Sequence, residues 1–319
     1  MTVRAAVIEA PGRPPAVVDR EPPDATPEQV PVEVTAAPIT PLDLLCASGT
    51  SYLGVPVTPY VPGIQGVGTL DGRPVWFPTT AGMAPGDGSM AAVAAVLRAD
   101  LVPLPDGADP VLVAAPGLSA VAAHMALTWR GELTAGEQVV VLGAGGVVGQ
   151  AAVQLARAGG ARRIVAGARS AAGQDRAKQA GADAVVALDT DDVTELTARF
   201  EAACDGPVDL VLDPLFGLPA AAAARTLRPG GRLVHLGSSA AETCPIDSST
   251  LRSRSLRLLG YTNNALTLEQ RGAALRIVAE HAARGALTVA HEIVPLEDVA
   301  AAWQRQASGA AAGRIVLVP

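Results

Sequence analysis

Aromatic residues are scarce in this chain: three Phe, three Tyr and three Trp make up 3% of its 319 residues. Lysine is scarcer still. Lys178 stands alone and arginine carries nearly all the positive charge, which in so Ala-, Gly- and Pro-rich a chain reads as coding bias. There is no basic cluster, and the formal net charge is −7, so nucleic acid is not an expected partner. The three cysteines, Cys46, Cys204 and Cys244, are scattered, odd in number and without CxxC spacing, which fits a reducing compartment. The four histidines, His124, His235, His281 and His291, show neither HxxH nor HExxH spacing. No uninterrupted apolar run reaches the roughly 18 to 20 residues that a membrane span requires. The opening stretch MTVRAAVIEAPGRPPAVV has no long apolar core. A strand and a Pro-rich turn suit it better than a signal peptide, and the cytoplasm is the expected location.

What is present is a chain 49% hydrophobic and 17% charged, far from the composition of a disordered protein. Its length allows two domains, each with its own core. Up to about residue 116, short strand-like runs such as AAVIEA, VPVEVTAA, GVGTL and RPVWFP are separated by Pro and Gly. The stretch MAAVAAVLRADLVPLP (90–105) fits two strands around a turn or a short helix. From 117 to 262 strand alternates with helix. QVVVLG precedes a helix over 147–158, RRIVAGA precedes AAGQDRAKQAG, AVVALD precedes DVTELTARFEAAC, and VDLVLDP precedes LPAAAAARTLRPGG. RLVHLG and LRLLGY close the series. Such a series predicts a parallel sheet with helices on both faces, whose strands are apolar throughout because both faces are covered. Residues 263–319 carry two further helices and two strands and are assigned with 1–116 to a β-rich domain.

Within VVVLGAGGVVGQAAVQLARAG (139–159), Gly143, Gly146 and Gly149 stand three apart, directly after a strand and at a helix start. Glycines so placed allow a tight turn, close approach of the backbone to a pyrophosphate, and close packing of helix on strand. Gly145, Val147 and Val148 complete the turn, whose free N–H groups and helix dipole suit phosphate. The strict G-x-G-x-x-G pattern fails at Val148. A Gly-rich connection without a ligand is the plainer alternative, and the place of the turn at the head of a long βα series favours a dinucleotide. NAD sites usually carry an acid at the end of the second strand. Here that place falls on or near Ala168, followed by Arg169 and Ser170. A guanidinium beside a hydroxyl suits a 2′-phosphate, so NADPH is preferred, with a solvated loop arginine as the alternative.

Several stretches together resemble the medium-chain dehydrogenase/reductase superfamily, in its zinc-independent quinone oxidoreductase-like branch. They are APITPLDLLCASGT (37–50), PYVPGIQGVGTL (59–70), LVPLPDGADPVLVAAPGL, the glycine segment itself, LRPGGRLVHLGS and the terminal GRIVLVP. The resemblance implies an α/β fold, a Rossmann doubly wound parallel sheet plus a β-rich GroES-like catalytic domain. Zinc-dependent members of the superfamily place a Cys in the first of these segments and a His-Glu pair in the second. Those places hold Thr40, Ile64 and Gln65, which predicts a metal-free protein.

Without a metal, alcohol oxidation is disfavoured. Hydride delivery from NADPH to a quinone or an α,β-unsaturated carbonyl is expected, with the protein supplying orientation and a dry cleft. The resemblance implies that Thr40, a candidate catalytic residue, and Pro41 lie near the nicotinamide, although many relatives have Asn at the place of Thr40. It also implies cofactor contacts from Asp213 and Leu215 after the fourth strand and from Leu236, Gly237 and Ser238 after the fifth. Tyr261 and Asn263, after the last strand, are further cofactor or substrate contacts. Tyr52 is the leading candidate for a proton donor or orienting hydroxyl, with Tyr60 an equal alternative and simple ring packing the plainer one for both. Asp43 is expected to cap or to pair with a cation rather than to catalyse. An enoyl-thioester reductase is an alternative, with the arginine run Arg252, Arg254 and Arg257 available to a pantetheine arm. A protein that binds NADPH without catalysing is another. The apolar stretch LRLLGY (256–261) is expected at a sheet edge, where it would pair with its copy in a homodimer.

Overall fold

The computed structural model describes residues 2–51 and 54–319. The chain forms two compact units. One comprises Met1–Gly117, Leu275–Gly285 and Ala290–Pro319, and the other Leu118–Ala274 and Ala286–Val289. The return to the first unit thus falls at 275, inside a helix, where the sequence suggests 263.

The first unit begins with the antiparallel pair β1 (Val3–Val7) and β2 (Ala16–Arg20). Strand β3 (Gln29–Pro38) alternates buried and exposed residues along its first half, as a strand with one face on a core must. Helix α1 (Pro41–Ser48) follows, with Thr40 as N-cap, Pro41 at the first helical position and Gly49 ending it in the left-handed region at φ 74°. Next come β4 (Gln65–Leu70), β5 (Arg73–Pro78), β6 (Val93–Leu97) and β7 (Val102–Pro103). The stretch at 90–105 is therefore two strands around a turn. Helix α2 (Pro110–Ala114) is capped by Asp109.

The second unit opens with α3 (Gly117–Met125), prolonged by a π-type turn over Ala126–Arg130. Strand and helix then alternate: β8 (Gln138–Leu142), α4 (Val147–Ala158), β9 (Arg163–Ala168), α5 (Ala171–Gln179), β10 (Ala184–Ala187) and α6 (Val193–Ala203). The series continues with β11 (Val208–Asp213), α7 (Gly217–Ala224), β12 (Leu227–His235), α8 (Ser248–Arg254) and β13 (Arg257–Gly260). All six strands are parallel, in the order β10-β9-β8-β11-β12-β13. Numbered within the unit, that order is 3-2-1-4-5-6, the doubly wound Rossmann arrangement, with its switch point between β8 and β11. Every residue of β8 is buried, which is why its sequence is an unbroken apolar run closed off by one Gln.

That Gln belongs to a polar network at the amino ends of the strands. Gln138 accepts from Asp205 N–H and donates to the carbonyls of Gly206 and Pro207, while its own N–H meets Asp209 Oδ2 at 2.7 Å. Beside it Arg232, 5% exposed, grips Glu137 with two hydrogen bonds of 2.9 and 2.6 Å. A fork-to-fork pair of this kind is strong and directional, and it ties the start of β8 to β12.

Helix α9 (Leu268–Ala283) carries the chain back to the first unit. There β14 (His291–Pro295), α10 (Val299–Ser308) and β15 (Arg314–Val318) form a parallel βαβ. Strand β15 inserts between β14 and β3, so the sheet reads β14-β15-β3-β4-β5-β7, with β6 also paired to β3. Its core gathers Ile8, Val32, Ile39, Phe77, Met90 and Leu317.

Candidate functional site

The glycine-rich turn joins β8 to α4 at the switch point, at the carboxyl end of the sheet, where open parallel sheets bind ligands. Gly143 adopts φ 62°, which makes the turn tight. A Cβ on Gly149 would lie 2.4 Å from the Cα of Ala144, so only glycine lets α4 pack so closely on the strand end. Gly146 is the N-cap of α4 and offers no side-chain cap. The N–H groups of Val147 and Val148 begin the helix and have no partner within it. A Cβ on Gly146 would meet nothing nearer than the Gly143 carbonyl at 3.4 Å, so that residue is not crowded. An uncapped helix N-terminus after a glycine-rich turn fits the diphosphate of a dinucleotide.

Gly145 packs its backbone against α5. A Cβ there would lie 2.5 Å from the Cα of Gly173. Ser170 caps α5 by accepting from Gly173 N–H at 3.1 Å. Arg169 and Ser170 are exposed and stand directly after β9, while Ala168, at the expected place of an acid, is buried. On the other side of the turn, Leu215 stands 3.0 Å from where a Cβ on Gly143 would be. The turn, Arg169–Ser170 and Leu215 are therefore neighbours at one end of one sheet.

Of the remaining candidates of this unit, Asp213, Tyr261 and Asn263 belong to two internal networks. Asp213 is wholly buried; Oδ1 accepts from the N–H groups of Leu215 and Phe216 at 2.9 and 2.8 Å, and Oδ2 lies 3.2 Å from His235 Nδ1. Both oxygens are thus engaged, and the carboxylate holds the loop after β11 in shape. Phe216, at φ 60° and ψ −164° in a region nearly reserved for glycine, lays its ring on that of His235 at 4.2 Å. Leu236 and Gly237 follow half-buried and Ser238 exposed. In the second network Tyr261 Oη donates to Asn263 Oδ1 at 2.6 Å, and Asn263 Nδ2 donates to the Leu118 carbonyl at 3.1 Å. Burial pushes the Tyr261 hydroxyl well above the ordinary tyrosine range.

In the first unit, Thr40 and Asp43 form a capping box. The Thr40 hydroxyl donates to Asp43 Oδ2 at 2.6 Å and accepts from Asp43 N–H at 3.2 Å, while Thr40 N–H meets the same oxygen at 2.8 Å. Asp43 Oδ1 accepts from Gly63 and Ile64 N–H at 3.1 and 2.9 Å. Burial raises the Asp43 pKa, against the pull of these hydrogen bonds and of the buried Arg314. The hydroxyl of Thr40 is therefore committed to the cap, and Asp43 caps as expected. Pro41 is exposed at the helix start. Tyr60 is buried, and its hydroxyl is raised well above the usual range by burial first and by Asp43 and Cys46 second. Tyr52 lies outside the described residues. At the places where the resemblance would put zinc ligands, Ile64 is buried and Gln65 Oε1 accepts from Trp76 Nε1 at 3.1 Å. Among the described residues no group of three or more His, Cys, Asp or Glu is placed to hold a metal ion, and no helix is long and apolar enough to cross a membrane.

Two side chains that touch the turn carry no sequence signal. Gln150 Nε2 and Arg176 Nε both donate to the Gly145 carbonyl, at 3.1 and 2.8 Å. Arg176 lies 31 residues along the chain from Gly145, and no local pattern marks such a contact.

Comparison with known proteins agrees with this architecture. A family model described as zinc-binding dehydrogenase matches residues 147–280. Human quinone oxidoreductase is 28% identical over 304 residues, covering 91% of this chain and 89% of that protein. A phenolphthiocerol/phthiocerol polyketide synthase polypeptide of Mycobacterium tuberculosis is 29% identical over 344 residues, 98% of this chain. The chain spans only 8 to 15% of the polyketide synthase relatives it matches. Among solved structures, the quinone oxidoreductase of Thermus thermophilus, also determined with NADPH, superposes with a TM-score of 0.81 at 29% identity over 99% of this chain and all of that one. In sequence and in fold the chain is similar to the quinone oxidoreductases of the medium-chain dehydrogenase/reductase superfamily.

Proposed function

We propose that the chain is an NADPH-dependent, metal-free oxidoreductase that reduces a quinone or an α,β-unsaturated carbonyl. The observation that carries the proposal is the uncapped helix start at the switch point, with Ala168 where an NAD site would present an acid and Arg169 and Ser170 directly after it. NADPH, when bound, supplies the hydride. The N–H groups of Val147 and Val148, with the α4 dipole, hold the diphosphate. Arg169 and Ser170 hold the 2′-phosphate, and Leu215, Leu236, Gly237 and Ser238 line the dinucleotide beyond the turn. Thr40 acts by fixing the start of α1 and so the place of Pro41, since its hydroxyl is taken by Asp43. Tyr52 is the proposed proton donor. Thr40, Ile64 and Gln65 in place of zinc ligands support the metal-free reading. The polarising role of a metal is unnecessary for acceptors that are already electrophilic.

The test is NADPH oxidation against a panel of quinones and enones, with metal content measured on the same sample. Turnover at substoichiometric metal supports the proposal. Stoichiometric zinc, or NADPH binding without oxidation of any acceptor, overturns it, and the second result would favour a non-catalytic NADPH-binding protein.

The similarity to polyketide synthases over nearly the whole chain favours a second reading, an enoyl-thioester reductase. The arginine run that would suit a pantetheine arm does not support it. Arg254 Nη1 donates to the carbonyls of Arg225 and Leu227, Arg257 pairs with Glu132 at 2.9 Å, and Arg252 bonds Ser248 within its own helix. Crotonyl-thioester assayed beside a quinone separates the two readings. A homodimer is also proposed, paired along the outer edge of β13, where Leu258 is exposed.

A further inference from the structure

The peptide between Gly145 and Gly146 directly precedes α4. Glycine on both sides makes it the peptide of the turn that flips most easily, because neither residue has a Cβ to resist the change. Its orientation decides the electrostatics. With the carbonyl turned away, the turn shows N–H groups to an anion; with the carbonyl flipped outward, its negative end faces the diphosphate.

Three contacts fix that peptide. Its N–H, from Gly146, donates to the Gly143 carbonyl at 2.9 Å. Its carbonyl, from Gly145, accepts from Arg176 Nε at 2.8 Å and from Gln150 Nε2 at 3.1 Å. The geometry depends on α5. Gly173 and Arg176 stand one turn apart on one face of that helix. Gly173 has no side chain, so Gly145 approaches its backbone, and Arg176 then reaches the Gly145 carbonyl. Gln150, 5% exposed, closes the other side from the first turn of α4.

We propose that Arg176 and Gln150 are positioning residues that lock the Gly145–Gly146 peptide with its carbonyl turned inward, so that the turn presents only N–H groups to the dinucleotide diphosphate. The inference rests on the dinucleotide reading above for its purpose, though the lock itself does not. Arg176 acts through Gly145 and not on the adenosine phosphate, which falls to Arg169. It therefore serves NADPH and NADH alike, and that is what a test must find.

The experiment uses the full chain and three variants, R176M, R176K and Q150L. The dissociation constants of NADPH and NADH are measured by fluorescence titration, and hydrogen exchange of the 143–149 amides is followed without ligand. Loss of a charge-assisted hydrogen bond predicts that R176M weakens both dinucleotides by the same factor, about 10-fold. R176K, which restores one donor, should recover part of it, and Q150L should lose about threefold. In R176M the Gly146 amide should exchange at least 10-fold faster, with little change in the buried β8 amides as the control for folding. Weakening of NADPH alone would make Arg176 a reader of the 2′-phosphate and overturn the proposal; unchanged affinity for both would also overturn it. If the unmodified chain binds neither dinucleotide, the cofactor reading has failed, and the exchange data alone decide the lock. Faster Gly146 exchange in R176M upholds it, and unchanged exchange refutes it.

Discussion

Gly145 and Gly173 meet backbone to backbone: a side chain on Gly145 would place its Cβ 2.5 Å from the Cα of Gly173. The contact seats the glycine-rich turn on the start of α5 and brings Arg169 and Ser170 alongside it. Neither glycine can move far, because one closes a turn and the other lies in the first turn of a helix. Gly145→Ala should therefore displace the turn, costing about 1 to 3 kcal/mol of stability as an overpacked contact does and most of the affinity for dinucleotide. Thermal unfolding and NADPH titration check this. Unchanged binding with lowered stability would separate the packing role of Gly145 from any role in the site.

Arg169→Glu replaces the proposed phosphate partner with a group suited to a ribose diol. Affinity for NADPH should fall 10- to 100-fold, about 1.4 to 2.8 kcal/mol, while that for NADH holds or improves. Isothermal titration with both cofactors gives the ratio. A fall shared equally by the two would mean that the arginine does not discriminate between them.

Thr40→Val removes the capping hydroxyl and keeps the shape of the side chain. Stability should drop by about 1 to 2 kcal/mol, and turnover per folded molecule should stay within twofold. A tenfold loss of kcat at unchanged KM would instead return Thr40 to the chemistry.

The Glu137–Arg232 pair gives a pH dependence with a definite sign. Burial works against ionisation of Glu137, but the hydrogen bonds from Arg232 and from Thr134 N–H outweigh it, and the carboxyl is held below its ordinary value of 4.5. A group whose folded pKa is depressed contributes stability above its unfolded pKa and loses it as pH falls through the folded one. Glu137→Gln should thus destabilise the chain most near neutrality, and its deficit should shrink as pH falls below about 4.5. Arg232→Met, which leaves the half-buried carboxylate only Arg228 and the Thr134 N–H, should cost about 1 to 3 kcal/mol at pH 7. Denaturant titrations across pH read both.

Strand β13 tests the dimer. Leu258, 43% exposed on this edge strand, is the residue to charge. Leu258→Lys should shift the chain from dimer to monomer in analytical ultracentrifugation without changing its circular dichroism. A chain that is monomeric before the change refutes the pairing.

The second unit is the more legible in the sequence, and the reason is physical. Its central strands are covered on both faces, so each is an apolar run bounded by turn residues, and α4 spans Val147–Ala158 as its pattern predicts. Helices α1, α2 and α3 are not evident from the sequence. α3 is largely buried, so no polar stripe reveals its period. α1 is short, yet its signals are present: Thr40, Pro41, Asp43 and Gly49 spell a cap, a first turn and a stop. The glycines of the turn are legible because backbone geometry demands them. Arg176 and Gln150 are not, since a side chain that bonds a distant carbonyl leaves no spacing to read. The arginine run 252–257 misleads because charge in a sequence does not reveal which carbonyls and carboxylates will claim it.

Strand β15 lies between β14 and β3, with Val316 opposite Pro38. The first unit is thus assembled from the two far portions of the chain, whereas the second is nearly continuous. During synthesis the Rossmann unit has all six of its strands before β14 and β15 leave the ribosome, so it is free to fold first. The early β-strands must then wait, with the edge of β3 that β15 will cover still open to the wrong partner, and it is in that interval that the chain is most exposed to aggregation.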